Sequence, residues 1–596
     1  MARKKAAGVP DQRPAPPTRG QWAGAVLLAL IFAARLLHGA ALKAPAYDEA
    51  LYLVYGHSLW QTGDFRLSID KPPLVPWVAG APARPLGASF DAEDEDWRKA
   101  DLWLRADSPW NGLQDHRWRF FLKDLHRNQV SSRRLLFAGR AALILMNAAA
   151  VLGAFALASR LFGARAGLWL AFFLSVSPNL LAYAGLVGED APVALFALLS
   201  VLAFLWTLEA PSPGRGAALG AATAAALLSK HSALTLGPSF IAVLALGLFS
   251  GSVPRDRDSL RRLGLAYAAG AAAAAALFLA AYLGTDLRFY FLSVKNTLAY
   301  QTRGQAAYLF GAVSNTGFRH YYLACLLLKL SPALLILPAV WLARRGWTRR
   351  EAFRTAAILI PAVVLTAIAS ANKIQIGLRY VLPAVALLAV PAALAAERRP
   401  WLGAVFGLWT ALASFGRHPD YLAYFNPLAG REGWRRLSDA NVDWGQDLRG
   451  LEDYVRTSGA DEVILSYYGA TLVSAVRFPF QDLWSFGVWG EKTHLGAPEP
   501  KKELLAVSAT NRVGLYLRRI LGPEPFAWLD GRTPVAVLGG SIFVYDVTSD
   551  ADAHARLAKL YAAAGAEAHA RREAARAMRI DPSGAALAAV FGRPRP

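Results

Sequence analysis

Six short stretches of this chain place ionisable side chains where a catalyst would use them. Tyr47-Asp48-Glu49-Ala50 sets two adjacent carboxylates just after the first apolar run, and Asp70-Lys71-Pro72-Pro73-Leu74 sets an acid and an ammonium before a Pro-Pro pair suited to starting a helix. Gly188-Glu189-Asp190-Ala191-Pro192 adds two more acids, and Arg140, Lys230 and Arg379 each sit at the end of an apolar run. Each has a plain structural explanation: first-turn acids at helix N-termini, a surface Asp-Lys pair, or cations reaching from a helix end to the membrane surface. A mixed set of acids and bases on one membrane face fits those explanations less well, because ionisable groups near hydrocarbon tend to face a bundle interior or cavity. Such a set suits transfer from a lipid-linked phosphate, with cations holding the leaving phosphate and a carboxylate taking the proton of an acceptor hydroxyl.

Positioning those groups on one face is the work of the apolar runs. Of 596 residues 55% are hydrophobic and 18% charged, poor in charge for a soluble chain. Runs long enough to cross a bilayer are expected near 22–42, 137–158, 166–187, 190–208, 214–230, 233–250, 263–283, 320–342, 353–371, 378–396 and 400–416, about eleven in all. The 214–250 stretch, interrupted at Ser229, Lys230, His231 and Pro238, is the least regular of these and is compatible with a re-entrant pair. A basic tail with Arg3, Lys4, Lys5, Arg13 and Arg19 and no small-residue cleavage site places the N-terminus in the cytoplasm. Threading onward puts Arg160, Arg165, Arg215, Arg255, Arg257, Arg261, Arg262, Arg344, Arg345, Arg349, Arg350, Arg354, Arg398 and Arg399 on the same side. That alternation follows the positive-inside rule and accounts for most of the net charge of +21, so nucleic acid is not an expected partner. The lone Cys325 excludes an intramolecular disulfide.

The expected organisation is a cytoplasmic tail (1–20), a transmembrane core (21–416) with outer loops at 43–136 and 284–319, a soluble α/β domain (417–550) and a helical tail (551–596). The acidic cluster Asp91, Glu93, Asp94, Glu95 and Asp96 beside Trp97 reads as a solvated turn rather than a metal cage. Absence of a P-loop or other Gly-rich nucleotide motif agrees with a lipid donor.

The ordered motifs resemble the polyprenyl-phosphate-sugar-dependent glycosyltransferases of the GT-C fold, particularly the protein-mannosyltransferase and aminoarabinose-transferase-like group. Its carriers are Tyr47 to Ala50, Asp70 to Leu74, Gly139-Arg140, Ser177-Pro178 leading to Asp190, Ser229-Lys230, and Gly377-Leu378-Arg379-Tyr380 with Leu382-Pro383. Tyr308 to Gly311 and Ser314 to Gly317 look like the second outer loop of that group. The resemblance implies Asp48 as general base, Glu49 orienting acceptor or sugar, and Asp190 supporting the acceptor side. It implies Lys71 on the donor phosphate and Asp70 on sugar or metal, with Arg140, Lys230 and Arg379 as looser phosphate or structural candidates. It further implies single-step displacement with inversion, a polyprenyl-phosphate-sugar donor, and a protein, glycolipid or glycan acceptor at the outer face of a bacterial inner membrane. Some relatives hold a divalent metal with an acid and a second-loop His; around Asn296, Tyr300, Gln301 and Gly304 no equivalent is evident, so no cofactor is assigned.

Beyond 417, Asp443 with Gln446 reads as a capping box opening a helix through Leu448, Leu451 and Val455, although the Asp, Asn and Trp residues of Ser438 to Leu448 also suit carbohydrate contact. Apolar runs at 463–468, 504–508, 535–538 and 542–545 suggest a small α/β domain. Ala558, Tyr561, Gly565, Ala570, Ala577 and Pro582 match one tetratricopeptide-like unit, expected as a hairpin packed on the domain or as a docking element for a protein partner. Two other functional classes fit the same features: a polytopic transporter or flippase, and a catalytically inactive scaffold of this fold. No duplicated half supports the transporter.

Overall fold

The computed structural model describes residues 14–67, 70–100, 116–284, 286–489, 494–496 and 499–592. The basic residues at 3, 4, 5 and 13 lie outside them. Each expected apolar run forms helix, in a mainly α-helical chain with small sheets toward the C-terminus. Among the described residues, seven helices are long and apolar enough to cross a membrane: Arg19–Leu42, Ser132–Phe162, Asp190–Glu209, His231–Phe249, Arg257–Ala281, Arg349–Ala371 and Leu378–Arg398.

Two further runs are bent pairs, Ala164–Val176 with Pro178–Ala184 at 63° and Tyr321–Lys329 with Pro332–Leu342 at 107°, raising the number to nine if each pair is one span. Proline explains both breaks, since it lacks an N–H and its ring clashes with the preceding turn. The remaining two runs are shorter, Pro213–Ser229 and Pro400–Gly416, each 17 residues. About eleven full spans were expected, so the count is lower by length, and the difference lies in kinked and short helices. Pro213–Ser229 is short on apolar bulk because it packs by closeness: a Cβ on Gly220 would lie 1.9 Å from the Gly270 carbonyl oxygen of the facing helix. Small residues at helix crossings are how bundles gain van der Waals contact in lipid.

The ends of the bundle differ in chemistry. At one end Arg350 donates to Glu209 at 2.9 Å, the Arg354 guanidinium bonds the same carboxylate, and Arg344 pairs with Glu351. At the other lie the starts of Asp190–Glu209 and Leu378–Arg398, the two most enclosed of the long helices.

The segment after the last apolar helix does not lead away from the bundle. The Asn426 amide donates to the Leu327 and Leu330 carbonyls at 2.7 and 2.9 Å, satisfying acceptors released by the 107° break. The buried Lys329 ammonium donates to the Leu422 and Asn441 carbonyls. Asn441 accepts from the Leu378 amide, Tyr183 donates to the Ala440 carbonyl, and the Tyr47 amide donates to the Trp444 carbonyl. Residues 420–447 are thereby stitched across the end of the bundle.

A five-stranded sheet follows, in the order Phe480–Asp482, Glu462–Ser466, Glu503–Ser508, Ile542–Asp546, Ala536–Leu538, parallel across the first three and antiparallel thereafter. Both faces are covered, as a parallel sheet requires. Val463 and Leu465 pack with Leu448, Leu451 and Val455, whereas Ile464 and Leu505 pack with Leu557 and Tyr561. The helices Ala551–Ala563 and Glu567–Ile580 form an antiparallel pair on that second face. The capping box expected at Asp443 does not form. The helix begins five residues later, at Leu448; Asp443 instead accepts from the Gly445 and Thr510 amides, and Gln446 accepts from the Trp444 amide.

Candidate functional site

Asp48 ends the turn before the helix Glu49–Thr62, and its side chain makes no capping hydrogen bond. It turns instead to Arg379, whose guanidinium donates to it at 3.1 Å. Arg379 also lies 3.7 Å from Asp190; Lys230 lies 2.5 Å from Asp190 and 3.0 Å from Glu189; Lys71 lies 3.6 Å from Glu189 and 3.3 Å from Asp70. Four carboxylates and three cations, drawn from five segments of the chain, thus form one array in which the signs alternate. Charges this enclosed are tolerated only when paired, and each here has an opposite neighbour.

Two local devices bring the array together. Asp190 occupies the first turn of its helix, where the helix dipole favours an anion. Lys71 is held against Asp48's helix because Glu49–Thr62 and Leu74–Gly80 cross at Gly56 and Gly80, where a Cβ on Gly56 would meet the Pro76 carbonyl at 1.9 Å. Burial works against the Lys71 charge, but Asp70 and Glu189 more than offset it and hold the ammonium well above its ordinary pKa.

Glu49 and Arg140 form a separate unit. They are 1% and 0% exposed and pair through two hydrogen bonds, of 2.8 and 2.5 Å. Glu49 also accepts from the Ala46 and Val187 amides, and Arg140 donates to the Ala40, Lys43 and Ala44 carbonyls. The clamp ties the first apolar helix to the turn carrying Asp48, and neither residue lines the cavity in front of the array.

That cavity, about 330 Å³, is bordered on one side by Asp48, Asp70, Lys71 and Arg379. Its other side comes from residues 300–305 and the segment beyond 417: Tyr300, Arg303, Gln305, Asp439, Trp444, Tyr468 and Tyr516. Trp444 lies beneath the Arg379 guanidinium at 4.3 Å from the ring centroid. Tyr300 donates to Gln305 at 2.7 Å, Gln305 to Tyr516 at 2.8 Å, and both Tyr516 and Tyr468 donate to Asp439. Burial raises the Asp439 carboxyl above its ordinary pKa, although the donors from Tyr516, the Ala440 amide and Tyr468 pull the other way. Asp439 also adopts φ +58°, uncommon for a residue with a Cβ.

Of the residues singled out from sequence, the structure joins Asp48, Asp70, Lys71, Asp190, Lys230 and Arg379 in the array and sets Glu49 and Arg140 behind it. Sequence reasoning counted Glu189 among the acids but gave it no role, and it passed over the tyrosine belt around Asp439. Ser438 to Gln446 held the one available signal, an Asp, Asn and Trp cluster of the kind that contacts carbohydrate. The acidic turn is a knot, with Asp96 buried against His116, Arg119 and Lys123. Among the described residues no group of three His, Cys, Asp or Glu is able to hold a metal ion, and Asp70 faces the Lys71 ammonium. The residues present do not fit a metal centre there.

Residues 131–282, roughly a quarter of the chain, match the family model described as dolichyl-phosphate-mannose-protein mannosyltransferase. Comparison with curated proteins returns no match. The chain is similar to the structure of ArnT from Cupriavidus metallidurans bound to undecaprenyl phosphate, at 16% identity over 89% of this chain and 98% of that one, with a TM-score of 0.44. It is also similar to the oligosaccharyltransferase of Archaeoglobus fulgidus in the apo form, at 14% identity over 66% of this chain and 55% of that one, with a TM-score of 0.41. Arg140, Glu189, Asp190 and Lys230 fall inside the family-matched segment. With its apolar helices, the chain is a multi-pass membrane protein that is similar, over residues 131–282, to the protein-mannosyltransferase group of glycosyltransferases.

Proposed function

We propose that this protein is an integral-membrane glycosyltransferase that moves a sugar from a polyprenyl-phosphate carrier to an acceptor hydroxyl at the outer face, with Asp48 as general base. The observation that carries the reading is the alternating array, which ends at the cavity in a carboxylate held by Arg379 and a cation held by Asp70 and Glu189. The acceptor oxygen attacks the anomeric carbon and forms the new C–O bond, while the bond to the phosphate oxygen breaks and its electron pair leaves with the phosphate. The hydroxyl proton passes to Asp48. One displacement inverts the anomeric centre. Lys71 neutralises the charge that grows on the leaving phosphate, and Arg379 fixes the direction of the Asp48 carboxylate. Glu49 and Arg140 serve as positioning residues, holding the turn from which Asp48 projects.

Orientation follows from the ends of the bundle. The arginine-rich connections around Glu209 and Glu351 belong to the cytoplasmic side, and the array, outer loops and sheet domain to the other. The matched family is named for a lipid-phosphate-linked sugar, which agrees with a donor that reaches this face by its lipid.

The test compares envelope glycoproteins and glycolipids by mass spectrometry in cells lacking the gene, complemented with wild type or with Asp48→Asn. A glycan lost without the gene, restored by wild type and still absent with a membrane-inserted Asp48→Asn protein is the expected result. An unchanged glycan profile, or restoration by Asp48→Asn, overturns the reading. The same comparison separates an enzyme from a transporter or an inactive scaffold, neither of which needs the base.

A further inference from the structure

The cavity side opposite the charged array is mostly aromatic and neutral polar, with Tyr300, Gln305, Tyr468 and Tyr516 around Asp439 and Arg303 beside them, and it is built with care. Rings line up along it: Trp118 meets Tyr47 edge-on at 5.4 Å, Tyr47 stacks with Tyr468 at 5.8 Å, and Tyr468 stacks with Tyr516 at 5.5 Å. All four line the cavity. Hydroxyls and one amide then run from Tyr300 through Gln305 and Tyr516 to Asp439 and back to Tyr468, joining two regions more than 200 residues apart in the chain. A carboxylate offers about four acceptor positions, and Tyr516, Tyr468 and the Ala440 amide occupy three, leaving capacity for one more donor. Asp439 holds this place at φ +58°, a backbone cost that persists where surrounding structure enforces it and that clusters at binding sites.

Ring faces beside a buried carboxylate and hydroxyls match a ligand with apolar C–H faces and a rim of hydroxyl donors, which is a saccharide. From the stacked rings and the Asp439 belt facing the phosphate-side array across one cavity, we infer that the segment beyond 417 forms the subsite for the transferred sugar of the lipid donor. The inference rests on the proposed transferase reading and adds which part of the chain chooses the sugar. Asp439 takes a hydrogen bond from a sugar hydroxyl, the tyrosine rings take its C–H face, and the array takes the phosphate.

The test measures binding rather than turnover, using the full chain in nanodiscs and two lipids, undecaprenyl phosphate and a panel of undecaprenyl-phosphate sugars. Wild type is expected to prefer a sugar-bearing lipid over the bare carrier by about 10- to 100-fold, the worth of a hydrogen bond to a charged group. Asp439→Asn suits the site because Asn is enriched at positive φ, and Tyr516→Phe deletes one hydroxyl of the belt without touching the carboxylate. Both variants are expected to bind bare undecaprenyl phosphate as wild type does and to lose most of the preference. Unchanged preference in both overturns the inference while leaving the transferase reading standing, and it is also the result if the belt serves an acceptor saccharide instead. Failure of wild type to bind either lipid overturns the transferase reading and the inference together.

Discussion

The two sides of the cavity solve the same problem, polar groups in a confined space, by opposite means. On the array side full charges sit next to full charges, and each of Asp48, Arg379, Asp190, Lys230, Glu189, Lys71 and Asp70 depends on an opposite neighbour within 4 Å. On the belt side a single carboxylate is satisfied by neutral hydroxyls and an amide. An alternating array can rearrange around an incoming phosphate, since an anion entering next to Lys71 can take the place of one of its two carboxylate partners. A hydroxyl belt is directional and shape-bound, suited to discrimination between similar neutral ligands. On the proposed reading the difference is a division of labour: one side would handle charge that moves during reaction, the other identity.

Breaking the array at its reactive end is expected to have the largest effect. Asp48→Asn lowers kcat by about 10²- to 10⁴-fold with little change in donor KM or thermal stability, read by turnover with a polyprenyl-phosphate sugar. Comparable lost activity with lowered stability would place Asp48 in the scaffold. Next comes the clamp behind the array: Arg140→Met leaves the Glu49 carboxylate buried without its counter-charge and is expected to cost about 3–5 kcal/mol in unfolding free energy. An unfolding curve like that of wild type would show that the clamp is dispensable. Lys71→Ala sharpens the division of labour, raising donor KM by about 10- to 100-fold while leaving the preference for sugar-bearing over bare carrier intact. A loss of sugar preference in that variant would merge the two sides into one.

The smallest effect concerns the segment that supports the belt. Burial pushes the Asp443 carboxyl up to about 7 from an ordinary 3.8, partly opposed by the Thr510 and Gly445 amides. The folded state therefore keeps a proton that the unfolded state has lost, and stability falls as pH rises across that window. The contribution is whole below about 3.8 and gone above about 7. Asp443→Asn is expected to flatten this part of the stability profile, measured by denaturant unfolding at several pH values, and an unaltered slope would remove Asp443 as its source.

Much of the array was legible because Asp48, Asp190, Lys230 and Arg379 lie close to the ends of apolar runs, and hydrocarbon length forces those ends to one of two surfaces. Which of two neighbours faces the cavity was not legible: Asp48 and Glu49 are adjacent, and about 100° of helical rotation sends one to Arg379 and the other to Arg140. Helix breaks at Pro178 and Pro332 were visible as prolines but their angles depend on tertiary packing. The belt was hidden for a different reason. Gln305 and Tyr516 lie far apart in sequence, tyrosines carry no periodic signature, and a post-membrane domain gives no sign in its composition of which residues face back toward the bundle.

The stitching of residues 420–447 across the bundle also sets the order in which the molecule becomes competent. A chain enters the membrane from its N-terminus, so the groups of the array are all delivered by residue 379, whereas the tyrosine that closes the belt arrives at residue 516. On the proposed reading the nascent protein until then carries the charges of the reaction under an unfinished roof, without the surface that would distinguish one sugar from another. Selectivity would then be the last property this protein acquires during its own synthesis, and a product halted after its final apolar helix would have the charges of the reaction without the choice of sugar.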